Sequence, residues 1–225
     1  MLEGESVSES LVEFLAPSAV VVLGYHVLPE QTPTEQASMQ FEDRAREAAE
    51  TIAETFRAAG GDIETRVAFT HDRDQTVERV ADDENATAVL LPNPVGEVED
   101  VVVPVGGAVD VVRLADLVAT LLAGGTGTVT LWGLDTGGES FDAAGTVEEI
   151  RASLADRGFP DARVETETTD SESPIRDVVD RSAEFDVVVM GEGGPTLWAA
   201  LFGEASERVA EGAVAPVLVV RQRPD

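Results

Sequence analysis

Short runs of β-branched residues alternate with longer amphipathic segments along the whole chain. The runs at Ala19–Tyr25 and Asp100–Val105 are apolar at nearly every position, which is typical of strands buried on both faces of a parallel sheet. The segments between the runs carry apolar residues at helical spacing and end at Gly or Pro. This alternation predicts an α/β fold with crossover connections. The predicted elements, in chain order, are a helix Leu11–Leu15, a strand Ala19–Tyr25, a helix Pro33–Ala59, a strand Ile63–Phe69, a helix Asp74–Asp82, strands Ala86–Leu91 and Asp100–Val105, a helix Val109–Leu122, a strand Gly127–Leu134, a helix Val147–Arg157, a strand Ala162–Thr168, a helix Ser173–Ala183, and strands Val187–Val189 and Pro216–Val220.

The order of elements repeats in the two halves of the chain. Segments that begin at Asp72 and Asp170 run parallel without gaps at a constant numbering difference of 98, which pairs Val77 with Ile175. We therefore predict a tandem duplication with one domain at residues 1–96 and a second at 97–225. The first copy is degenerate, because it lacks an opening strand and a glycine loop.

A glycine-rich stretch follows the β-branched run that begins at Val187. Glycines there let backbone N–H groups converge on an anion, and a following helix N-terminus adds partial positive charge. The pattern of strand, glycine loop, helix and strand is suited to a nucleotide phosphate. A carboxylate in the loop opposes that use, because one about 5 Å from a phosphate charge costs roughly 3 kcal/mol per charge pair at an effective dielectric near 20.

The glycines at 191, 194 and 203, with Ala205-Ser206 and the closing Val-rich strand, resemble the C-terminal signature of the universal stress protein superfamily. The resemblance implies two tandem Rossmann-like units of the adenine nucleotide alpha hydrolase-like type, with parallel sheets and flanking helices. The family pattern of nucleotide-binding members is G-x-x-G, nine residues, then G-S or G-T. Here eight residues separate Gly194 from Gly203, and Glu204 stands at the hydroxyl position.

The resemblance also identifies a second half of the site. Family members open with a strand ending P-V-D-G, whose acidic residue helps to hold the nucleoside, whereas this chain has Pro104-Val105-Gly106-Gly107 and no carboxylate. The candidate nucleotide-binding residues are Val105, Gly106, Gly107, Gly191, Gly194, Gly203, Glu204, Ala205 and Ser206.

The charge of the chain is extreme. Asp and Glu number 44 against 15 Arg and no Lys, which gives a net charge of −29 although 43% of the residues are hydrophobic. Such a surface repels nucleic acid and anionic lipid, and it stays hydrated in molar salt. We expect a halophilic cytoplasmic protein that makes no nucleic acid contact and does not insert into membranes.

Little in the sequence supports catalysis. The chain has no Cys, which excludes thiol chemistry, and only two His. We interpret His26 as a packing residue at a strand end, and His71-Asp72-Arg73-Asp74 as a solvated turn rather than a metal site. Trp198 lies inside the glycine loop, as a core residue or as a cover for a ligand. We predict no enzyme, and neither catalytic nor metal residues.

The functional hypotheses differ in what the loop binds. The first is a stress-response or regulatory module without a cofactor, whose decayed nucleotide site leaves it acting through a protein partner. The second is a genuine binder of ATP or AMP with a modified loop, and a weaker third is a regulatory partner of a membrane transporter.

We also predict a homodimer through the C-terminal strand Val217–Val220, because a degenerate first copy has no strand to pair with the edge of this strand.

Overall fold

The computed structural model describes residues 7–29, 34–137, 141–192 and 215–222. Its contacts divide the chain into two compact units, Met1–Ala86 and Thr87–Asp225. The second unit therefore includes the strand at 88–91, which the predicted boundary after residue 96 assigns to the first copy. The two predicted domains themselves stay a prediction.

The first unit is a two-stranded parallel sheet with helices. Its opening helix begins after Ser8, whose Oγ accepts a hydrogen bond from the Leu11 N–H at 3.3 Å, as an N-cap does. The strand β1 is half-buried from Val20 to His26, so the prediction of a strand buried on both faces is wrong here, because a two-stranded sheet covers its strands less than a wide one. The elements are α1 (Glu9–Leu15), β1 (Val20–Val27), α2 (Thr34–Ala58), β2 (Ile63–Thr70) and α3 (Arg73–Asp83).

The second unit is a six-stranded sheet in the order β3-β8-β7-β4-β5-β6, with helices between the parallel strands. The β4 and β7 strands are its centre, and Val103, Val188 and Val189 are fully shielded from solvent. Such strands can be apolar at consecutive positions because both of their faces are covered. The elements are β3 (Ala88–Leu91), β4 (Asp100–Val105), α4 (Val111–Leu121), β5 (Thr128–Asp135), α5 (Ala143–Asp156), β6 (Val164–Asp170), α6 (Pro174–Arg181), β7 (Val187–Gly191) and β8 (Val217–Val220), with short 3₁₀ turns at 161–163 and 182–184.

The prediction that Val217–Val220 has an open edge is wrong. β8 lies inside the sheet, parallel to β7 on one side and antiparallel to β3 on the other, with Leu90 opposite Leu218. The chain thus pairs this strand internally, using a segment that the repeat assigns to the first copy. The predicted homodimer depended on a free edge of β8, and both edges of this strand are already paired within the chain.

Parts of the two units correspond at a constant spacing. β2 and β6 begin 101 residues apart, and so do α3 and α6. The strands β3 and β7, however, begin 99 residues apart, so the pairing of Val77 with Ile175 at a spacing of 98 stays a prediction beside its pairing with Val178 at 101. A shift of three residues keeps a helix on nearly the same face, so the apolar pattern alone did not distinguish the two registers.

A hydrogen bond between side chains repeats at the same spacing of 101. In the first unit the Thr76 hydroxyl donates to Thr70 Oγ1 at 2.8 Å, and in the second the Ser171 hydroxyl donates to the Asp177 carboxylate. Both bonds tie the end of a strand to the first turns of the next helix. They support a tandem duplication, which stays a prediction.

Candidate functional site

The carboxyl ends of β4 and β7 form the point where the chain reverses direction across the sheet. From β4 the chain moves outward to β5 and β6, and it then returns to place β7 on the opposite side of β4. The carboxyl ends of β4 and β7 therefore lie side by side, and a crevice opens there between the end of β7 and the loop that follows β4. In open α/β sheets, ligands bind at such a reversal.

The loop after β4 forms one wall of this crevice. Val105, the last residue of the strand, is 3% exposed, whereas Gly106 is exposed and Gly107 half-buried. The loop ends at Asp110, whose Oδ1 accepts a hydrogen bond from the Arg113 N–H at 3.0 Å and so begins α4. The capped helix fixes the end of the loop beside the strand.

Gly191 ends β7 directly against that loop. A Cβ built on Gly191 would lie 2.6 Å from Val109 Cγ2 and 3.1 Å from Val109 Cβ. The sequence analysis predicted that Gly191 lets backbone N–H groups approach an anion. In the structure Gly191 has a packing role, because Val109 lies so close to it that a side chain at position 191 would clash.

A cavity of about 90 Å³ lies between these segments. Four predicted site residues, Val105, Gly106, Gly107 and Gly191, lie in its wall. The remaining wall comes from the end of β5, the start of α6 and the end of β7. The lining residues are Pro104, Val105, Gly106, Gly107, Ala108, Val109, Leu134, Pro174, Ile175, Val178, Met190 and Gly191.

The lining carries no charged or hydroxyl side chain among the described residues. The sequence resemblance aligns Gly106 with the family's acidic residue. A Cβ at Gly106 would lie 3.4 Å from Leu134 Cβ and 3.7 Å from Pro174 Cβ, both ordinary contacts. A side chain would therefore fit at this position and would start beside two apolar wall residues. The chain has room for a carboxylate and does not carry one.

Carboxylates in the segments that follow these strands hydrogen-bond to the protein itself. Asp135 Oδ1 accepts from the Gly137 N–H at 2.8 Å, and Glu192 Oε2 accepts from the Gln222 N–H at 2.9 Å. Asp177, on the helix that lines the cavity, accepts from the Ser171 hydroxyl. These acids shape the turns around the cavity and are not part of its lining.

The other half of the predicted site lies outside the described residues. This half comprises Gly194, Gly203, Glu204, Ala205 and Ser206, together with Trp198.

Sequence reasoning missed the far wall of the cavity. This wall is formed by three elements, β5, α6 and β7, which become neighbours only through the order of the strands in the sheet. They contribute Leu134, Ile175, Val178 and Met190. One signal was available: Ile175 and Val178 are three residues apart on a predicted helix and share a face.

Two candidates outside the cavity have structural roles. The His26 ring lies 6.1 Å from the Phe41 ring and 6.3 Å from the Phe69 ring, centroid to centroid, as expected for a packing residue. Asp72 caps α3 by accepting from the Gln75 N–H at 3.0 Å. In the part of the chain that the structure describes, no group of three or more His, Cys, Asp or Glu is placed to hold a metal ion.

Arg73 belongs to the same turn and forms an ion pair. Its Nε donates to Asp74 Oδ1 at 3.0 Å. Burial disfavours the charge of the guanidinium, but interactions with Asp74 and Tyr25 outweigh this cost and raise the pKa of Arg73. The turn is thus held by an internal charge pair.

Residues 97–221 match the model of the universal stress protein family, which is more than half of the chain. The chain belongs to the universal stress protein family. No curated protein matches the chain. The match covers the sheet from β4 to β8 and includes every residue of the cavity wall.

One solved structure shows the same fold, and two others align more weakly. A universal stress protein from Archaeoglobus fulgidus aligns with a TM-score of 0.61 at 13% identity, covering 97% of this chain and 93% of that chain. A universal stress protein in complex with cAMP aligns at 21% identity with a TM-score of 0.42, covering 54% of this chain and 95% of that chain. A protein of unknown function from Pseudomonas aeruginosa aligns at 16% identity with a TM-score of 0.47, covering 92% and 94%.

None of the described helices is both long and apolar enough to cross a membrane.

Proposed function

We propose that this chain is a non-enzymatic regulatory module of the universal stress type whose nucleotide site has decayed. The observation that carries the proposal is the wall of the cavity at the β4–β7 reversal, which has no polar side chain among the described residues and has Gly106 where the family resemblance places an acid. The module would act through contacts with a protein partner and would need no cofactor.

The cavity is poorly suited to a nucleoside for an energetic reason. A ribose hydroxyl that leaves water without finding a partner costs about 1–3 kcal/mol, so each unpaired hydroxyl weakens binding by about 5- to 150-fold. The described walls offer no side-chain acceptor for these hydroxyls. The net charge of −29 also opposes an anionic ligand, although molar salt screens part of the repulsion.

The alternative is a genuine ATP or AMP binder with a modified loop. One observation favours it: the crevice exists at the reversal point, and Gly106 and Gly107 present backbone without side chains there. In this case the glycine backbone would replace the missing carboxylate. The two proposals differ in whether the natural sequence binds nucleotide.

A gain-of-function variant tests the decayed site. Isothermal titration with ATP and AMP in molar KCl should show no binding to the natural chain and measurable binding to the double variant Gly106→Asp/Glu204→Ser. The matched control is Gly96→Asp/Glu204→Ser, because a Cβ at Gly96 meets no atom within 4 Å and Gly96 lies outside the cavity wall. Equal affinity of the natural chain and the double variant would contradict the proposal.

The cellular setting follows from the charge. A chain with a net charge of −29 and no Lys is adapted to a cytoplasm that contains molar salt, where its self-repulsion is screened. We expect the two units to act together as one tandem protein there.

A further inference from the structure

The cavity at the β4–β7 reversal has the features of a site for a small apolar group. Its described lining consists of aliphatic side chains, one methionine, prolines and glycines. Leu134 is 2% exposed and Met190 6%, so the floor is formed by residues of the buried core. Gly106 and Ala108 at the rim are exposed, which leaves the cavity accessible from solvent.

Water is held weakly in such a space. A volume of about 90 Å³ is large enough to hold water, and a bound water normally needs two to four polar partners. The described walls provide backbone groups but no polar side chain. An apolar group gains affinity when it displaces poorly ordered water. A polar group would lose affinity, because it gives up its hydrogen bonds to water and finds no side-chain partner in the described walls.

We propose that this cavity binds a small aliphatic molecule of about three to four carbon atoms. The inference rests on the proposed loss of nucleotide binding, because an adenine nucleotide would compete for the same crevice. The size follows from comparison with an engineered cavity of about 150 Å³, lined by aliphatic and aromatic side chains, which stays dry and binds benzene or xenon. A cavity of about 90 Å³ takes a smaller group.

The test uses xenon and isobutane as probes on the full chain in molar KCl, followed by methyl NMR. We expect saturable shifts of the methyl signals of Leu134, Val105 and Val178 in the wall, and none at Val27, which is 49% exposed and lies in the other unit. Absence of saturable shifts in the natural chain would overturn the proposal.

Two variants connect the response to this cavity. Gly106→Leu should weaken both probes at least tenfold, because its side chain would start 3.4 Å from Leu134 Cβ, whereas Gly96→Leu, in open space, should leave them unchanged. If Gly106→Leu does not fold, Val178→Thr keeps the volume of the wall and adds a hydroxyl, with Val179→Thr outside the lining as its control. Equal affinity in a wall variant and its control would refute the site.

A parallel titration with ATP separates this inference from the proposed function. If ATP binds the natural chain and displaces xenon, the decayed site is wrong, and so is the inference that depends on it, because a nucleotide then occupies the cavity. If neither ATP nor the apolar probes bind, the decayed site is supported and the apolar inference is wrong.

Discussion

Gly191→Ala should destabilise the second unit, because the new methyl group collides with Val109. The added Cβ would lie 2.6 Å from Val109 Cγ2 and 3.1 Å from Val109 Cβ. Rotation of the valine moves Cγ2 but leaves Cβ in place, and valine is stiff about χ1. The loop or the strand must shift, and overpacking of this kind costs about 1–3 kcal/mol.

Gly106→Ala is the matched control. It adds the same methyl group to the same cavity wall, but at ordinary contact distances of 3.4–3.7 Å. Its free energy of unfolding should be unchanged or about 0.4–1 kcal/mol higher, because alanine restricts the unfolded chain.

Urea unfolding in molar KCl, followed by tryptophan fluorescence, measures the difference. Both tryptophans, Trp132 and Trp198, belong to the second unit, so their signal reports on the unit that contains the substitution. Equal stability of Gly191→Ala and Gly106→Ala would refute the close approach on which the description of the site depends.

Three further predictions concern the salt dependence of folding, the hydrogen bonds that Asp186 accepts, and the Glu204 side chain. Because the net charge is −29, circular dichroism from dilute buffer to molar KCl should show a cooperative gain of structure, and an unchanged spectrum and melting temperature would contradict the halophilic interpretation. Asp186→Ala should lower the free energy of unfolding by about 1–2 kcal/mol, because Asp186 Oδ2 accepts hydrogen bonds from the N–H groups of Glu99 at 2.9 Å and Asp100 at 2.8 Å. Urea unfolding that matches the natural chain would show that these two hydrogen bonds do not stabilise the fold. Glu204→Ser alone should lower stability slightly, by about 0.3–1 kcal/mol, if this carboxylate acts on a helix N-terminus, and a variant at least as stable in urea would count against that role.

The strands and helices were predictable because their signals are local. The run Val101–Val105 is continuously apolar, and the observed strand Asp100–Val105 has the predicted bounds. The helices α1 and α3 begin at side-chain caps, Ser8 and Asp72, although the sequence analysis interpreted Asp72 only as part of a solvated turn. Each of these features depends on residues that are neighbours in the chain.

The arrangement of the strands was less predictable. The four residues Ala88–Leu91 do not indicate a direction, so the antiparallel pairing of β3 with β8 could not be inferred from them. This pairing closes the edge that the sequence analysis left open at Val217–Val220. It depends on contacts between segments more than a hundred residues apart.

The candidate site was predicted in part. A glycine signature pointed to Gly106, Gly107 and Gly191, and the structure brings them to one cavity. The apolar wall at Leu134 and Met190 was not predicted, because a buried aliphatic residue at a strand end looks the same in sequence whether it faces a cavity or the core. The chemistry of the site therefore follows from the fold more than from the motif.

Titration of the natural chain with ATP and AMP in molar KCl tests the central claim most directly. The decayed site predicts no binding up to about 1 mM nucleotide, which corresponds to a binding free energy weaker than about −4 kcal/mol. Stoichiometric binding of either nucleotide at micromolar concentration would contradict the account and would assign the cavity between β4 and β7 to a nucleotide after all.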